Sequence, residues 1–486
     1  MTRSHTPDTQ MEVPSMRKLI TAIMLTTLAA PCFALDQALV DEATATLRQA
    51  TTYLVEEVSV EGGYAGSYLH DLSDQWGEGH ITETMNWVQP PGSPSTGMVF
   101  ITAYEATGDP LFLDAAKANA ESLVWGQLEC GGWSYNIDFS RTGEERWFYR
   151  HNAGSDDEAL TSGRNTGTMD DNVTQAATRL LIMVDKALEA AERPDEAIHE
   201  AAMAALDYLL EAQYDHGGWP QRYPLNGRSY NDYATFNDNT IRDCCRTMWY
   251  AWESYGDERY RDSLLECGDF IVEAQLPAPQ ASWAQQYDAD LKPAWARRFE
   301  PAAVCSGEAY GVMRLLVELA AFTGDDKYLE PLPAAMEWFE SEDTLLEDGR
   351  RARFYELKTN RPLYFYANTY RLTYDDSNTP DHYGFKGSYY GDHVRKAYEA
   401  IQEKGLEQWI AERQAAEDRS REEQIARAEN MEGDVREILE ARTENGVWLS
   451  KGGYGPDVPH LNMRTVQRNI ATLATYVGNA TGFPGR

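Results

Sequence analysis

Basic residues are scarce in this chain. Lysine and arginine number 43 against 78 aspartates and glutamates in 486 residues, a formal charge of −35. A surface of that sign repels phosphate backbones, which excludes nucleic acid as a partner. Cysteine is scarce too, with six residues, no CxxC and no Cys/His spacing of the kind that holds zinc. Long apolar runs are missing as well. Beyond residue 34 no segment has the length and apolarity to span a bilayer, so no membrane association is expected.

The one apolar run that stands out is N-terminal. "MRKLITAIMLTTLAAPCFA" opens at Met16, carries Arg17 and Lys18, continues apolar from Leu19 to Ala30 and ends at Ala34. A charged start, a short apolar stretch and a small-residue cleavage site describe a secretory leader, too short for a membrane span. The expected start is therefore Met16, with cleavage after Ala34 and a secreted or periplasmic product. Pro31 before Cys32 argues against lipid attachment. Removal of residues 1–34 leaves five cysteines, Cys130, Cys244, Cys245, Cys267 and Cys305. That odd number allows one or two disulfides and leaves at least one free thiol; buried thiols and no catalytic cysteine are expected.

Apolar residues make up 42% of the chain and aromatics 11%, a globular composition. The aromatics include 28 tyrosines and 13 tryptophans. Such residues suit sugar rings or a protein partner, and equally an aromatic core.

The chain repeats itself. Thr107-Gly108-Asp109, Tyr255-Gly256-Asp257 and Thr323-Gly324-Asp325 each join two apolar-periodic segments. Glycine ends the first helix and aspartate caps the second, which predicts helical hairpins. A second repeat follows the hairpins. Gln127, Gln213 and Gln275 are each followed by a tryptophan, Trp133, Trp219 and Trp283, and "GGY" occurs at 62–64 and 452–454. Each helix thus ends in a turn and an aromatic loop. Paired helices that bury their apolar faces on their neighbours predict an all-α fold, an (α/α) toroid or barrel with long aromatic loops around a cleft. The segment 217–240, "GGWPQRYPLNGRSYNDYATFNDNT", reads as one of these rim loops. Residues 35–402 are expected to form the catalytic domain. Residues 403–486, charged and poor in apolar positions over 403–443, are expected to be a helical C-terminal extension, packing through Leu406, Trp409, Ile410, Ile425 and Ile438.

Three stretches concentrate chemistry. Asp170, Asp171 and Asn172 precede an amphipathic segment, and Asn237, Asp238 and Asn239 precede another. Either cluster alone suits N-capping. Two clusters in cleft loops suit a shared Ca²⁺, which takes six to eight oxygen ligands. The third stretch is basic: Lys292, Arg297 and Arg298, with Arg351, Arg353, Lys358 and Arg361 further on. Ion pairs with Glu300 and Glu356 are the plain alternative to a substrate site.

"TMDDNVTQ", "GGWPQRYP", "ATFNDN", "LKPAWARRFEP" and "FYELKTNRP" resemble, in this order, the motifs of polysaccharide lyase family 10, the pectate lyases. The resemblance covers roughly residues 40–400, and five motifs in order are specific where no single one is. It implies a toroid-like (α/α) barrel and Ca²⁺-dependent β-elimination of polygalacturonate, giving 4,5-unsaturated products. It also implies metal ligands at Asp171, Asn172 and Asp238, a base at Arg297 and substrate binding by Arg361. Arg298 departs from the pattern, which often has a small residue there, and leaves the base open between the two arginines. Lys292, Arg298, Trp219 and Tyr223 complete the expected substrate contacts, with core packing equally open for the aromatics.

The expected partner is thus pectin or polygalacturonate, acted on by a monomer. A cation and arginines in the cleft would reconcile an acidic protein with an acidic polymer. An arginine base must lose its proton, which points to an alkaline optimum. The rivals are an (α/α)-toroid glycoside hydrolase using Asp171 and Asp238, and a non-catalytic Ca²⁺-dependent uronate-binding protein.

Overall fold

The computed structural model describes residues 35–227, 229–417 and 419–483. The expected leader, residues 1–34, lies outside the described residues. The helices are α1 (Gln37–Tyr53), α2 (Ser93–Thr107), α3 (Pro110–Trp125), the short α4 (Arg141–Arg146) and α5 (Glu158–Thr161), α6 (Val173–Ala190), α7 (Glu196–Ala212) and α8 (Thr240–Tyr255). They continue with α9 (Glu258–Glu273), α10 (Ser306–Thr323), α11 (Leu332–Glu340), α12 (His393–Lys404), α13 (Leu406–Glu417), α14 (Arg421–Glu440) and α15 (Met463–Thr481).

The helices form an α/α toroid. Inner helices follow one another in the order α15, α2, α6, α8, α10 and α12, each against the next. Outer helices back them: α14 and α1 on α15, α3 on α2, α7 on α6, α9 on α8, α11 on α10 and α13 on α12. The inner helices bury most of their length. In α6, Val173, Ala176, Ala177, Leu180, Leu181, Val184 and Leu188 are all buried, the spacing of a helix packed along a broad face. The hairpin turns match the sequence reading. Gly108, Gly256 and Gly324 adopt φ of 67°, 69° and 71°, a left-handed conformation that glycine enters without steric cost. Asp109, Asp257 and Asp325 then accept from the backbone N–H of Leu111, Arg259 and Lys327.

The Gln and Trp of the second repeat are structural. Gln127, Gln213 and Gln275 each donate to a carbonyl of their own loop (Gly131, Gly217 and Ala281). Each also donates to one in the next unit (Ala201, Ser263 and Pro331). Trp133, Trp219 and Trp283 are wholly buried and donate their indole N–H to Leu123, Leu209 and Ile271 carbonyls at 2.9, 2.8 and 2.8 Å. Trp219 therefore offers no face to a ligand, and its expected role in substrate binding is corrected. Burial of the ring and satisfaction of its N–H make it a core residue.

The boundary at residue 402 is corrected too. α15 packs on α1 and α2, and Met463, Val466, Ile470, Leu473, Tyr476 and Val477 are buried there. Strands Leu449–Ser450 and His460–Asn462 join Ser67–Tyr68, Gln75–Trp76 and His80–Ile81 in one sheet. Trp448 repeats the tryptophan bond of the other units, donating to Ile438 O at 2.7 Å. The C-terminal segment thus belongs to the ring: its charged helices are outer-layer helices, α13 behind α12 and α14 behind α15. All five cysteines among the described residues are free thiols.

Candidate active site

The site is assembled from one backbone pattern used three times. The N–H of Thr168, Thr235 and Cys305 bonds to the carbonyl of Trp133, Trp219 and Trp283. The N–H of the next residue, Met169, Phe236 or Ser306, bonds forward to the carbonyl of Gln221, Gln285 or Arg353 at 2.7, 2.8 and 2.9 Å. Two residues further on stand Asp171, Asp238 and Glu308. The same position in three successive units is acidic and lies at the N-terminal end of an inner helix.

In the first two units the backbone there is strained. Asp171 and Asn172 have φ of 51° and 62°, and Asp238 and Asn239 have φ of 47° and 62°. Two consecutive non-glycine residues in the left-handed region cost free energy that the surroundings must offset, and such strain concentrates at functional sites. It does not serve capping: Asn172 and Asn239, at the N-cap positions of α6 and α8, make no side-chain capping bond.

The two loops bring Asp170, Asp171 and Asp238 together, with one carboxylate oxygen from each lying within 4.8 Å of the others. Asp170 is held from the rear by Tyr135 Oη at 3.0 Å and Gln221 Nε2 at 3.2 Å. Burial pushes its carboxyl up to about 6, and the charge of Asp238 adds to the shift against the Tyr135 bond and the charges of Arg297 and Arg222. Asn172 lies beside this trio, and its Oδ1 accepts from Arg179 Nη2 at 2.8 Å. Oxygens of three carboxylates at this separation can share one ion, because ligands at 2.3–2.6 Å from a Ca²⁺ centre stand no more than about 5 Å apart. The donor set is all hard oxygen, which fits calcium and not a soft metal.

Arg297 lies near enough to this cluster for its charge to lower the Asp170 carboxyl. Its Nε and Nη2 donate to the two oxygens of Glu300 at 2.8 and 2.5 Å, and its own backbone N–H donates to Glu300 Oε2 at 3.1 Å. Glu300 is 1% exposed and takes a further bond from Tyr383 Oη at 2.9 Å. Burial alone lowers the guanidinium's pKa, but the bonds to Glu300 and its charge outweigh that and raise it above the ordinary arginine value. The ion-pair reading of the basic stretch thus holds for Arg297, without removing it from the site.

The remaining expected residues are spread out. Arg298 is exposed, its guanidinium 3.5 Å from the centre of the Tyr370 ring. Lys292 is exposed and paired with Asp290. Tyr223 is half-buried, edge-on to Tyr208, on the strand paired with Gly167–Thr168. Arg361 is exposed, precedes strand Pro362–Phe365, and holds its guanidinium 3.3 Å from the centre of the Tyr374 ring.

Three residues near the site carry no expectation from the sequence. Arg222, in the "PQRYP" motif, lies near Asp170 and Tyr135. Tyr135 carries Asp170. Glu308 is paired with the buried Arg353 at 2.5 Å, and burial pushes its carboxyl up to about 7, with Asp238 and Glu300 adding to the rise. Aligning the three tryptophan loops would have placed Glu308 opposite Asp171 and Asp238.

The model of the pectic acid lyase family matches residues 127–394, more than half of the chain. No curated protein matches. The solved structures similar to it include a family 10 polysaccharide lyase from Cellvibrio cellulosa, at 22% identity and a TM-score of 0.47 over 64% of this chain and 97% of that one. A mutant of the Cellvibrio cellulosa family 10 lyase in complex with trigalacturonic acid matches at 21% identity and a TM-score of 0.46, over the same shares. Cellobiose 2-epimerase from Bacillus thermoamylovorans B4167 matches at 11% identity and a TM-score of 0.45, over 90% of this chain and 98% of that one. With its family model spanning the three acidic loops, Arg297 and Arg361, the chain belongs to the pectic acid lyase family.

Proposed function

We propose that this polysaccharide lyase cleaves polygalacturonate by cation-assisted β-elimination at the Asp170–Asp171–Asp238 cluster. The observation that carries the reading is the placement of three converging carboxylates against an arginine that is itself held in place by a buried glutamate. Asp170, Asp171 and Asp238 would hold Ca²⁺, with Asn172 beside them. A cation held there would supply positive charge that stabilises the carbanion developing as the C5–H of a galacturonate is lost.

The chain's own residues account for the remainder. Arg222 and Arg297 flank the trio and offset its charge as an acidic polymer approaches. Tyr135 and Gln221 keep Asp170 turned toward the cluster. Arg297 is assigned the C5 proton. Its Nε and Nη2 are committed to Glu300, so Nη1 is the nitrogen left to face substrate. As the C5–H bond breaks, its electrons form the C4–C5 double bond, the C4–O4 bond breaks, and the departing oxygen takes a proton from water. Only a neutral guanidine accepts a proton, and Glu300 favours the charged form. The active fraction therefore falls as pH falls below the raised Arg297 value, and the rate rises with pH through the alkaline range.

The leader expected at residues 16–34 supports action outside the cytoplasm, where pectin would be met. The test is a single assay. Protein dialysed against chelator and then returned to Ca²⁺ is given polygalacturonate, and unsaturated product is followed by its near-ultraviolet absorbance. Product formed only with added Ca²⁺ is the expected result. New reducing ends without ultraviolet absorbance would indicate hydrolysis, and equal rates in chelator would remove the cation from the reaction.

A further inference from the structure

The carboxylates of the cluster come from two turns in different units of the ring. Asp170 and Asp171 precede α6, and Asp238 precedes α8. A cation shared between the turns needs them held at one spacing, because a metal centre tolerates ligand distances within only about 0.2 Å. Neither turn is regular backbone. The left-handed pairs Asp171–Asn172 and Asp238–Asn239 persist only where their surroundings hold them.

One side chain bonds to both units. Arg179 stands on α6, seven residues and so about two helical turns beyond Asn172. Its Nη2 donates to Asn172 Oδ1 at 2.8 Å, beside Asp171 in the first turn. Its Nη1 donates to Thr247 Oγ1 at 2.6 Å and to the Asp243 carbonyl at 3.2 Å, both on α8, the helix that the second turn leads into. That end is firm: Thr247 is wholly buried, and its hydroxyl donates to the same Asp243 carbonyl at 2.7 Å.

All three acceptors are uncharged. Burial lowers the Arg179 pKa, against the charge of Asp243. A cation seated on neutral oxygens costs free energy that an apolar residue on this largely buried helix would not. Arginine only donates, so the Asn172 amide must turn its oxygen toward Arg179. A guanidinium on that oxygen repels a second cation at the same atom, which leaves the ion to the carboxylates and makes Asn172 a link.

We propose that Arg179 is a positioning residue for the cation site. Acting through Asn172 on one side and α8 on the other, it sets the spacing of Asp171 against Asp238, and with it the affinity for Ca²⁺. This rests on the reading of the acidic cluster as a Ca²⁺ site. The sign of the effect distinguishes positioning from charge alone. Loss of a positive charge near three carboxylates would tighten cation binding, whereas loss of a strut weakens it.

The test is calorimetric titration of Ca²⁺ into protein dialysed against chelator, with no substrate present. Arg179→Met keeps the unbranched stem and loses the fork. Its Kd for Ca²⁺ should rise about 10–100-fold, the usual loss when a partner that orients the ligands is removed, with the helical circular dichroism unchanged. Thr247→Val keeps the shape of the residue and frees only the α8 end, so its Kd should rise by less. The double variant should bind no more weakly than Arg179→Met, because both substitutions cut one link. An equal or lower Kd in Arg179→Met, or losses that add in the double variant, would overturn the proposal. If Arg179→Met does not accumulate as folded protein, Thr247→Val decides alone, and an unchanged Kd overturns it. A wild type that takes up no Ca²⁺ removes the cation reading and the proposal together. A wild type that binds Ca²⁺ yet forms no unsaturated product ends the lyase reading, and the rise in Kd still upholds the role of Arg179.

Discussion

Replacing Trp219 separates two readings of an aromatic loop. The ring is wholly buried and its N–H is bonded to Leu209 O at 2.8 Å. Truncation to alanine removes a large core side chain, which costs about 3–5 kcal/mol. It also leaves the Leu209 carbonyl without its partner, a further cost of about 1–3 kcal/mol unless water reaches it. Together these approach the whole stability of an ordinary domain, about 5–15 kcal/mol. Trp219→Ala should therefore fail to accumulate as folded protein. Trp219→Phe is the decisive variant. It keeps an aromatic ring but loses the hydrogen bond and part of the volume, and should cost about 1–3 kcal/mol. Denaturant unfolding followed by far-ultraviolet circular dichroism should show that loss, with KM on polygalacturonate unchanged. Trp448→Phe, at the equivalent position of the C-terminal unit, should lose a similar amount. An unshifted midpoint for Trp219→Phe with a tenfold rise in KM would refute the burial argument and restore the ring to the cleft.

Asp171→Ala should abolish activity at modest Ca²⁺ and leave the helical circular dichroism unchanged, since Asp171 lies on the strained turn before α6 and not within the helix; full activity of this variant in chelator would remove the cluster from the reaction. A chain truncated at residue 402 should not fold, because it loses α15 and two strands of a five-stranded sheet; soluble, active truncated protein would contradict the ring architecture. Glu300→Gln removes the charge that holds Arg297 protonated, so the alkaline rise in rate should begin at lower pH, and an unshifted profile would show that Arg297 is not titrating in the reaction. Arg297→Lys should lower kcat at least a hundredfold with a smaller change in KM, whereas Arg298→Lys should change mainly KM.

The helical ring was legible because its signals are local. A left-handed glycine followed by an aspartate cap needs only three residues to declare itself, and it recurs at 108, 256 and 324. The tryptophan repeat was legible as a pattern but not in its meaning. An aromatic residue after a Gly-Gly turn looks the same in sequence whether it faces a cleft or the helix behind it. Only the bond from the indole to a carbonyl 10 or 12 residues earlier decides the matter. The C-terminal unit was misread for a related reason. Composition reports the solvated outer layer, α13 and α14, more strongly than the single buried helix α15 that closes against α2.

The site divides along the same line. Asp171 and Asp238 stand in short motifs, and each motif is also the strained turn that presents the side chain. Asp170 was visible as a neighbour but not as a member of the trio, because its part depends on Tyr135 and Gln221, which are 35 and 51 residues away. The character of Arg297 is set by sequence and fold together. Glu300 lies only three residues on, yet its hold depends on being 1% exposed and braced by Tyr383, 83 residues distant. A glutamate in water would screen away and leave the arginine mobile. Buried and doubly bonded, it fixes one edge of the guanidinium and leaves the other free. Under the proposed mechanism the same carboxylate improves the aim of the base and opposes its deprotonation, so positional accuracy at neutral pH is gained at the cost of a rate that rises into alkali.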